Sequence, residues 1–493
     1  MRQRIILFIA CVALLVAMHA PYLRMPFHWD ELGQFVPAAL DLYRGLDPAC
    51  PDRWHACAWV THTAEPNIHP PGVMALLAAV WHLTGFSILS SRLTMLALAG
   101  FGIYLSFLLA IRLARGSAGA PAFAAAAFLV AAPMFYTQSM MVLLDMPAMV
   151  FTVLALLLFY DQRYAACAAV CTALVLVKET SITAPMVFGA WLLFKDRRIK
   201  EALYFFAPAV GFAIWLVVLH QATGSWFGDP NFQQYNVTDS LTPLHILYAI
   251  VRRAYMLSFA DGHWIGSLAL VFGWRLLRGR EWNVALLVAG AQLIPITLLG
   301  GAVLDRYLLP VLPILYAAFA VAASAYTPMR RMLSHLALLA LLITGWFVNS
   351  PFPVPMENNL AVADFVYLQR EAAEYLESNL RDSTIVTQWP LSTALRRPDN
   401  GYVQAPLQVR ALKGQHLPEI EASRSGPSDV VVLFSRGGPP LGLLRRIPLL
   451  NNLTARFRDP QPEATSSEMD SAGFVSIARW TRGAHWIEIY SMR

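Results

Sequence analysis

Asp30 and Glu31 stand side by side in Phe27-His28-Trp29-Asp30-Glu31, a few residues beyond the first apolar stretch of the chain. Two adjacent carboxylates beside a long hydrophobic segment are poor packing material. An ionised side chain costs about 2.5–3.5 kcal/mol at a bilayer centre on insertion scales, and such groups line cavities or sites. Asp30 suits a general base. A carboxylate with an ordinary pKa near about 3.9 is ionised at neutral pH. It is too weak to deprotonate a hydroxyl outright, but it can take the proton as a new bond forms. Glu31 suits an orienting partner, or a cap for the helix starting near Gly33, because acidic groups stabilise a helix's first turn.

His69, in Ile68-His69-Pro70-Pro71, closes the same loop. A residue before proline is pushed towards extended backbone, so the imidazole is expected at the mouth of the helix that opens at Pro70. With Glu65 nearby it is a candidate metal ligand or a substrate contact. Carboxylates and one imidazole do not choose among Mg, Mn and Zn, and the same residues serve equally as polar interface groups with no metal. Asp145, in Leu143-Leu144-Asp145-Met146-Pro147, reads either as a helix cap ahead of proline or as part of a site. Lys178-Glu179 and Asp305-Arg306-Tyr307 lie at apolar helix ends, where the cations either snorkel or hold a phosphate, which Arg matches with two prongs. Arg253 is a further candidate substrate contact. Cys50 and Cys57 are candidates for a small loop-closing disulfide.

The elements that position these groups follow from composition. The chain is 57% hydrophobic and 14% charged over 493 residues, with mean hydropathy +0.50. Soluble chains typically carry about 25% charge, so this is an integral membrane protein. The net charge of +6 includes no basic run interleaved with aromatics, so no nucleic-acid partner is expected. Five cysteines are too few for a disulfide framework. A crossing helix needs about 20 apolar residues. Segments 5–23, 88–111, 118–136, 144–160, 162–178, 180–194, 202–221, 263–277, 283–300, 307–326 and 332–349 qualify or nearly do. The first is read as an uncleaved membrane helix, because Met18-His19-Ala20-Pro21 is a poor cleavage site.

With the N-terminus cytoplasmic, cations collect in the short inner loops, as around Arg112, Lys195 to Lys200 and Arg275 to Arg280. The alternation holds only if 162–194 makes two crossings. Loop 24–87, the Asp145 turn, loop 222–262, Asp305-Arg306 and everything after residue 349 then share the non-cytoplasmic side. Residues 33–43, 71–83 and 243–259 read as interfacial helices. The expected fold is mainly α and polytopic, with about eleven transmembrane helices in residues 1–349. A small α/β domain over 350–493 follows, with a helix from Phe365 to Leu380 and strands at 384–387 and 429–434.

In order and spacing the motifs resemble the GT-C class of polytopic glycosyltransferases. The likeness is strongest to the bacterial branch of the dolichyl-phosphate-mannose protein mannosyltransferase family, which includes the lipid A aminoarabinose transferases. It rests on Asp30-Glu31, His69-Pro70-Pro71, Asp145-Met146-Pro147, Lys178-Glu179 and Arg306-Tyr307-Leu308-Leu309-Pro310, and spans residues 5–330. The chain departs from the family with Gln34-Phe35 where a tyrosine is common. It also has His69-Pro70 where the aminoarabinose transferases carry an acidic residue and lysine. The resemblance implies a sugar donor on polyprenyl phosphate and inverting transfer to a hydroxyl acceptor at the periplasmic face of the bacterial inner membrane. Asp30 would be the base, Asp145 an organiser of the site, and Lys178 and Arg306 the holders of donor phosphate. The alternatives are a transporter or lipid-linked-sugar flippase, which often shows internal repeats that are not seen here. A ligase or polymerase of related architecture would carry its soluble bulk mid-chain.

Overall fold

The computed structural model describes residues 2–45, 59–60, 68–348, 356–423, 426, 429–435 and 463–493. Glu65, Cys50 and Cys57, named above as candidate ligand and disulfide partners, lie outside the described residues. The chain divides into two compact units, Met1–Leu23 with Gln34–Val348, and Arg24–Gly33 with Asn349–Arg493.

The first unit is helical. Among its described residues, four helices are long and apolar enough to cross a membrane: Ile88–Leu113, Ile199–Thr223, Arg280–Leu298 and Asp305–Ala325. Ile88–Leu113 begins at a capping box. Ser87 Oγ accepts from Ser90 N at 3.0 Å, and Ser90 Oγ accepts from Ser87 N at 3.2 Å, so two amides of the helix start are paired locally. The most apolar window of Asp305–Ala325 is 83% buried, against 22% for Ile199–Thr223. The former is a core helix and the latter a peripheral one. Phe206, Val210, Ile214 and Val217 all point outward along that peripheral helix. An outward apolar stripe of this length suits a hydrocarbon surround.

Shorter apolar helices are Gly72–Thr84, Pro121–Ala131, Asp145–Tyr160 and Tyr164–Val177. The segment expected over 118–136 is broken, with a second helix at Pro133–Gln138, because Pro133 cannot continue the hydrogen-bond ladder. The stretch 162–194 is two helices, Tyr164–Val177 and Thr183–Phe194, joined by the turn Glu179–Ile182. Of the three helices expected in the loops, Gly72–Thr84 and Pro243–Ser258 form as read. The other starts later, as Val36–Arg44 after a π-helical turn over Glu31–Phe35, and ends at Gly45 with φ 104°.

Gly72 lets its helix meet Tyr164–Val177 closely, since a Cβ there would lie 2.5 Å from the Leu176 carbonyl oxygen. Gly72→Ala is therefore expected to cost about 1–3 kcal/mol, read as a lower thermal unfolding midpoint of detergent-purified protein. An unchanged midpoint would contradict the close approach.

The second unit holds a five-stranded sheet of order β2-β1-β3-β5-β4. The strands are β1 Thr384–Gln388, β2 Val409–Leu412, β3 Asp429–Phe434, β4 Phe474–Arg482 and β5 His485–Met492. β2, β1 and β3 run parallel, with Val386 paired to Arg410 and Val431. β5 pairs antiparallel with β3 and β4. β1 and β3 are buried along nearly all their length, as interior strands are, and Val430 to Phe434 of β3 form the apolar run typical of an interior parallel strand. Val386, Leu412, Ile420, Val431, Leu433, Met469, Phe474 and Tyr490 form one core. Helix Ala361–Asn379 buries Phe365, Val366, Ala372, Ala373 and Leu376.

Candidate functional site

The first unit gathers Asp145, Lys178, Arg306, Tyr307 and Arg253. Asp145 opens helix Asp145–Tyr160, where the positive end of the helix dipole favours a carboxylate. Its side chain makes ion pairs: Lys178 Nζ bonds Oδ1, and Arg306 Nε lies 3.2 Å from Oδ2. Lys178 reaches it because the chain turns extended there, φ −147° and ψ 113°, at the end of helix Tyr164–Val177. Arg306 and Tyr307 stand in the 3-10 stretch Asp305–Val311, which opens the core helix. All three charged groups are buried, at 2%, 7% and 4% exposure for Asp145, Lys178 and Arg306.

Tyr307 is half-buried and its ring is faced by cations. Lys178 Nζ lies 4.0 Å from the centroid, and the guanidinium carbons of Arg253 and Arg306 each lie 5.8 Å away. The neighbouring arginines on helix Pro243–Ser258 have different roles. Arg252 forks onto Asp305 with bonds of 2.9 and 2.7 Å, so those two charges neutralise each other. Arg253 donates to the carbonyls of Leu304 and Ile296, which orient it without cancelling its charge. Burial, partly offset by Asp305, pulls the Arg253 guanidinium down to about 10. Three buried cations, Lys178, Arg306 and Arg253, thus gather by Asp145 and the Tyr307 ring. Buried charge is tolerated when paired, and a cluster of cations suits an anion.

His69 meets Glu179, the residue after Lys178. Its Nδ1 stands 3.2 Å from both carboxylate oxygens of Glu179, with the Phe35 and Phe232 rings at 5.6 and 6.2 Å. Burial opposes ionisation of Glu179, but the charges of His69 and Lys178 outweigh it and hold the carboxyl below its usual range. The expected partner of His69 was Glu65; the partner the structure describes is Glu179. Among the described residues, no group of three or more His, Cys, Asp or Glu side chains is arranged to hold a metal ion. There His69 is paired with the Glu179 carboxylate.

Asp30 and Glu31 belong to the second unit. Glu31 is fully buried; its Oε2 accepts from His28 N at 2.9 Å and its own N donates to His28 O at 3.0 Å. It closes a turn in which Trp29 adopts φ 52°. Asp30 sits on that turn, half-buried. Sequence reasoning missed two polar groups. Glu179 was read only as part of a helix-end motif, although its acidic type beside Lys178 was a usable signal. Asp261, with φ 52°, is pushed up to about 6 by burial and by the Asp305 charge; nothing local marked it.

No protein-family profile matches the sequence, and no curated protein does. Solved structures do match. The crystal structure of ArnT from Cupriavidus metallidurans bound to undecaprenyl phosphate matches with a TM-score of 0.55 at 15% identity, over 98% of this chain and 97% of that one. The apo state of the same protein matches with a TM-score of 0.53 at 16% identity, over 97% of each chain. Over nearly its whole length the chain therefore has the fold of ArnT.

Proposed function

We propose that the protein is a membrane glycosyltransferase that moves a sugar from a polyprenyl-phosphate donor to a hydroxyl acceptor on the non-cytoplasmic face. The observation that carries this reading is the buried cluster of Lys178, Arg306 and Arg253 by Asp145 and Tyr307, cations suited to a lipid phosphate. The shared fold supports it, because the ArnT structure holds undecaprenyl phosphate. The proposed topology has the N-terminus cytoplasmic, about eleven crossings, and residues 24–33 and 349–493 on the outer side.

The reaction is a single displacement. The acceptor oxygen attacks the anomeric carbon as the bond to the phosphate oxygen breaks, which inverts the configuration. The bonding pair leaves with the polyprenyl phosphate, stabilised by Lys178 and Arg306. The hydroxyl proton passes to the Asp30 carboxylate. Placed charges of this kind act where charge develops in the transition state, and held reactants avoid an entropic cost.

Purified protein incubated with labelled polyprenyl-phosphate sugar and an envelope-glycan acceptor is expected to release polyprenyl phosphate in step with acceptor labelling. Lipid movement across a vesicle without bond cleavage would favour a flippase instead. Arg306→Ala is expected to raise the KM for lipid donor about tenfold or more, with a smaller change for the acceptor. Equal changes for both substrates would argue against a phosphate role.

A further inference from the structure

In open α/β sheets, ligands bind beyond the carboxyl ends of the parallel strands, where the strand order reverses. In the order β2-β1-β3 that crevice lies between the ends of β1 and β3. The residue following β1 is Trp389, and what packs on it is the chain's own segment 24–33. The Trp29 ring meets the Trp389 ring edge to face, with centroids 4.3 Å apart, and a Cβ on Gly33 would lie 3.5 Å from Trp389 Nε1. Two hydrogen bonds fix the loop's other end: Phe27 N donates to Asn400 O at 3.1 Å, and Tyr402 Oη donates to Phe27 O at 3.0 Å. His28 packs on Phe365 of the long helix, with ring centroids 5.4 Å apart. Met25, Phe27, His28 and Glu31 are fully buried, whereas Trp29 and Asp30 are not.

At the centre of this grip Trp29 holds φ 52°. A left-handed backbone at a bulky residue costs energy, of order 1–3 kcal/mol, and persists where its surroundings over-determine it. Beyond the Glu31–His28 turn itself, the loop is gripped by Trp389, which follows β1, and by the 400–402 segment.

We propose that the second unit is a positioning device for Asp30. The carboxyl end of the parallel strands, where such a sheet would take a small ligand, holds the loop 24–33 in its bend, with Trp389 and Tyr402 as the positioning residues. This rests on the reading of Asp30 as the base. Neither side chain is assigned contact with a substrate; each acts through the loop. A misplacement of about 1 Å in a catalytic group costs as much as about 10²-fold in rate.

The test uses the full-length protein purified in lipid nanodiscs, assayed with polyprenyl-phosphate sugar, together with hydrogen-exchange mass spectrometry. Trp389→Ala is expected to lower kcat about 10- to 100-fold with the donor KM within about twofold, and to raise exchange in residues 24–33 while β1 and β3 keep their protection. Trp389→Phe, which retains a ring, is expected to recover most of kcat. Tyr402→Phe removes one hydroxyl and is expected to lower kcat several-fold in the same pattern, which keeps the test open should Trp389→Ala fail to fold. An unchanged kcat with an unchanged loop exchange, a donor KM that rises in step with the fall in kcat, or no recovery with Trp389→Phe would each overturn the positioning role. Transfer retained in Asp30→Asn would overturn the base reading itself. Transfer lost in Asp30→Asn but kept in Trp389→Ala and Tyr402→Phe would overturn the positioning role alone.

Discussion

Asp30→Asn is expected to fold and insert like the wild type and to lose sugar transfer by about 10²–10⁴-fold, the usual contribution of a positioned general base. The substitution keeps the side-chain volume and removes the basic oxygen. Folding should be spared because Asp30 is half-buried, while the turn beneath it is closed by Glu31, whose Oε2 takes the His28 amide. The loss should fall on kcat, since the proton moves only as the new bond forms. Comparable protein yield with near wild-type turnover would remove Asp30 from the mechanism. Glu31→Gln gives the contrasting result, weakening a buried charge-assisted hydrogen bond in the turn and loosening the loop.

The second large effect is one of stability. Asp145→Ala leaves Lys178, Arg306 and Arg253 buried without the carboxylate that two of them contact. Removing one partner of a buried ion pair costs about 3–5 kcal/mol, so thermal unfolding in detergent should shift sharply downward. Two further measurements separate this from a simple cavity. The double variant Asp145→Ala with Lys178→Met should be less destabilised than the single changes predict together, because the stranded charge is gone. Added polyprenyl phosphate should restore part of the midpoint of Asp145→Ala, because an anion bound only by the folded state stabilises it. Strictly additive losses, with no response to the lipid, would mean that the cluster holds no net charge that needs an anion.

Much of the architecture was legible because it is local. Gly72–Thr84 follows a proline pair and ends at a glycine, and Pro243–Ser258 starts at a proline; both lie within a residue of their expected limits. β3 showed itself because a strand buried on both faces reads as an unbroken apolar run, and β1 through its β-branched Thr384-Ile385-Val386-Thr387. The other strands did not. β2 is four residues long and carries Arg410. β4 is an edge strand with Val475 and Ile477 turned outward and charges at Arg479 and Arg482. Strands of this kind exist through pairing, and pairing is not a property of the segment. The π-helical turn before Val36 and the break at Pro133 similarly shifted limits that hydropathy alone had smoothed over.

The sequence by itself determined the chemical inventory and the apolar scaffold: the carboxylates Asp30, Glu31 and Asp145, the cations Lys178, Arg253 and Arg306, and the segments that carry them. Residue type, capping and periodicity act within a few residues, so they survive in the one-dimensional text. Which charge meets which was decided only by the tertiary structure. Asp145 could have capped its own helix, and instead it binds Lys178 and Arg306. His69 pairs with Glu179, 110 residues away. Segment 24–33 lies early in the chain yet belongs to the unit built from its end. Ion pairs and aromatic contacts act over a few ångströms in space, whatever the separation along the chain, and the folded packing alone sets those distances.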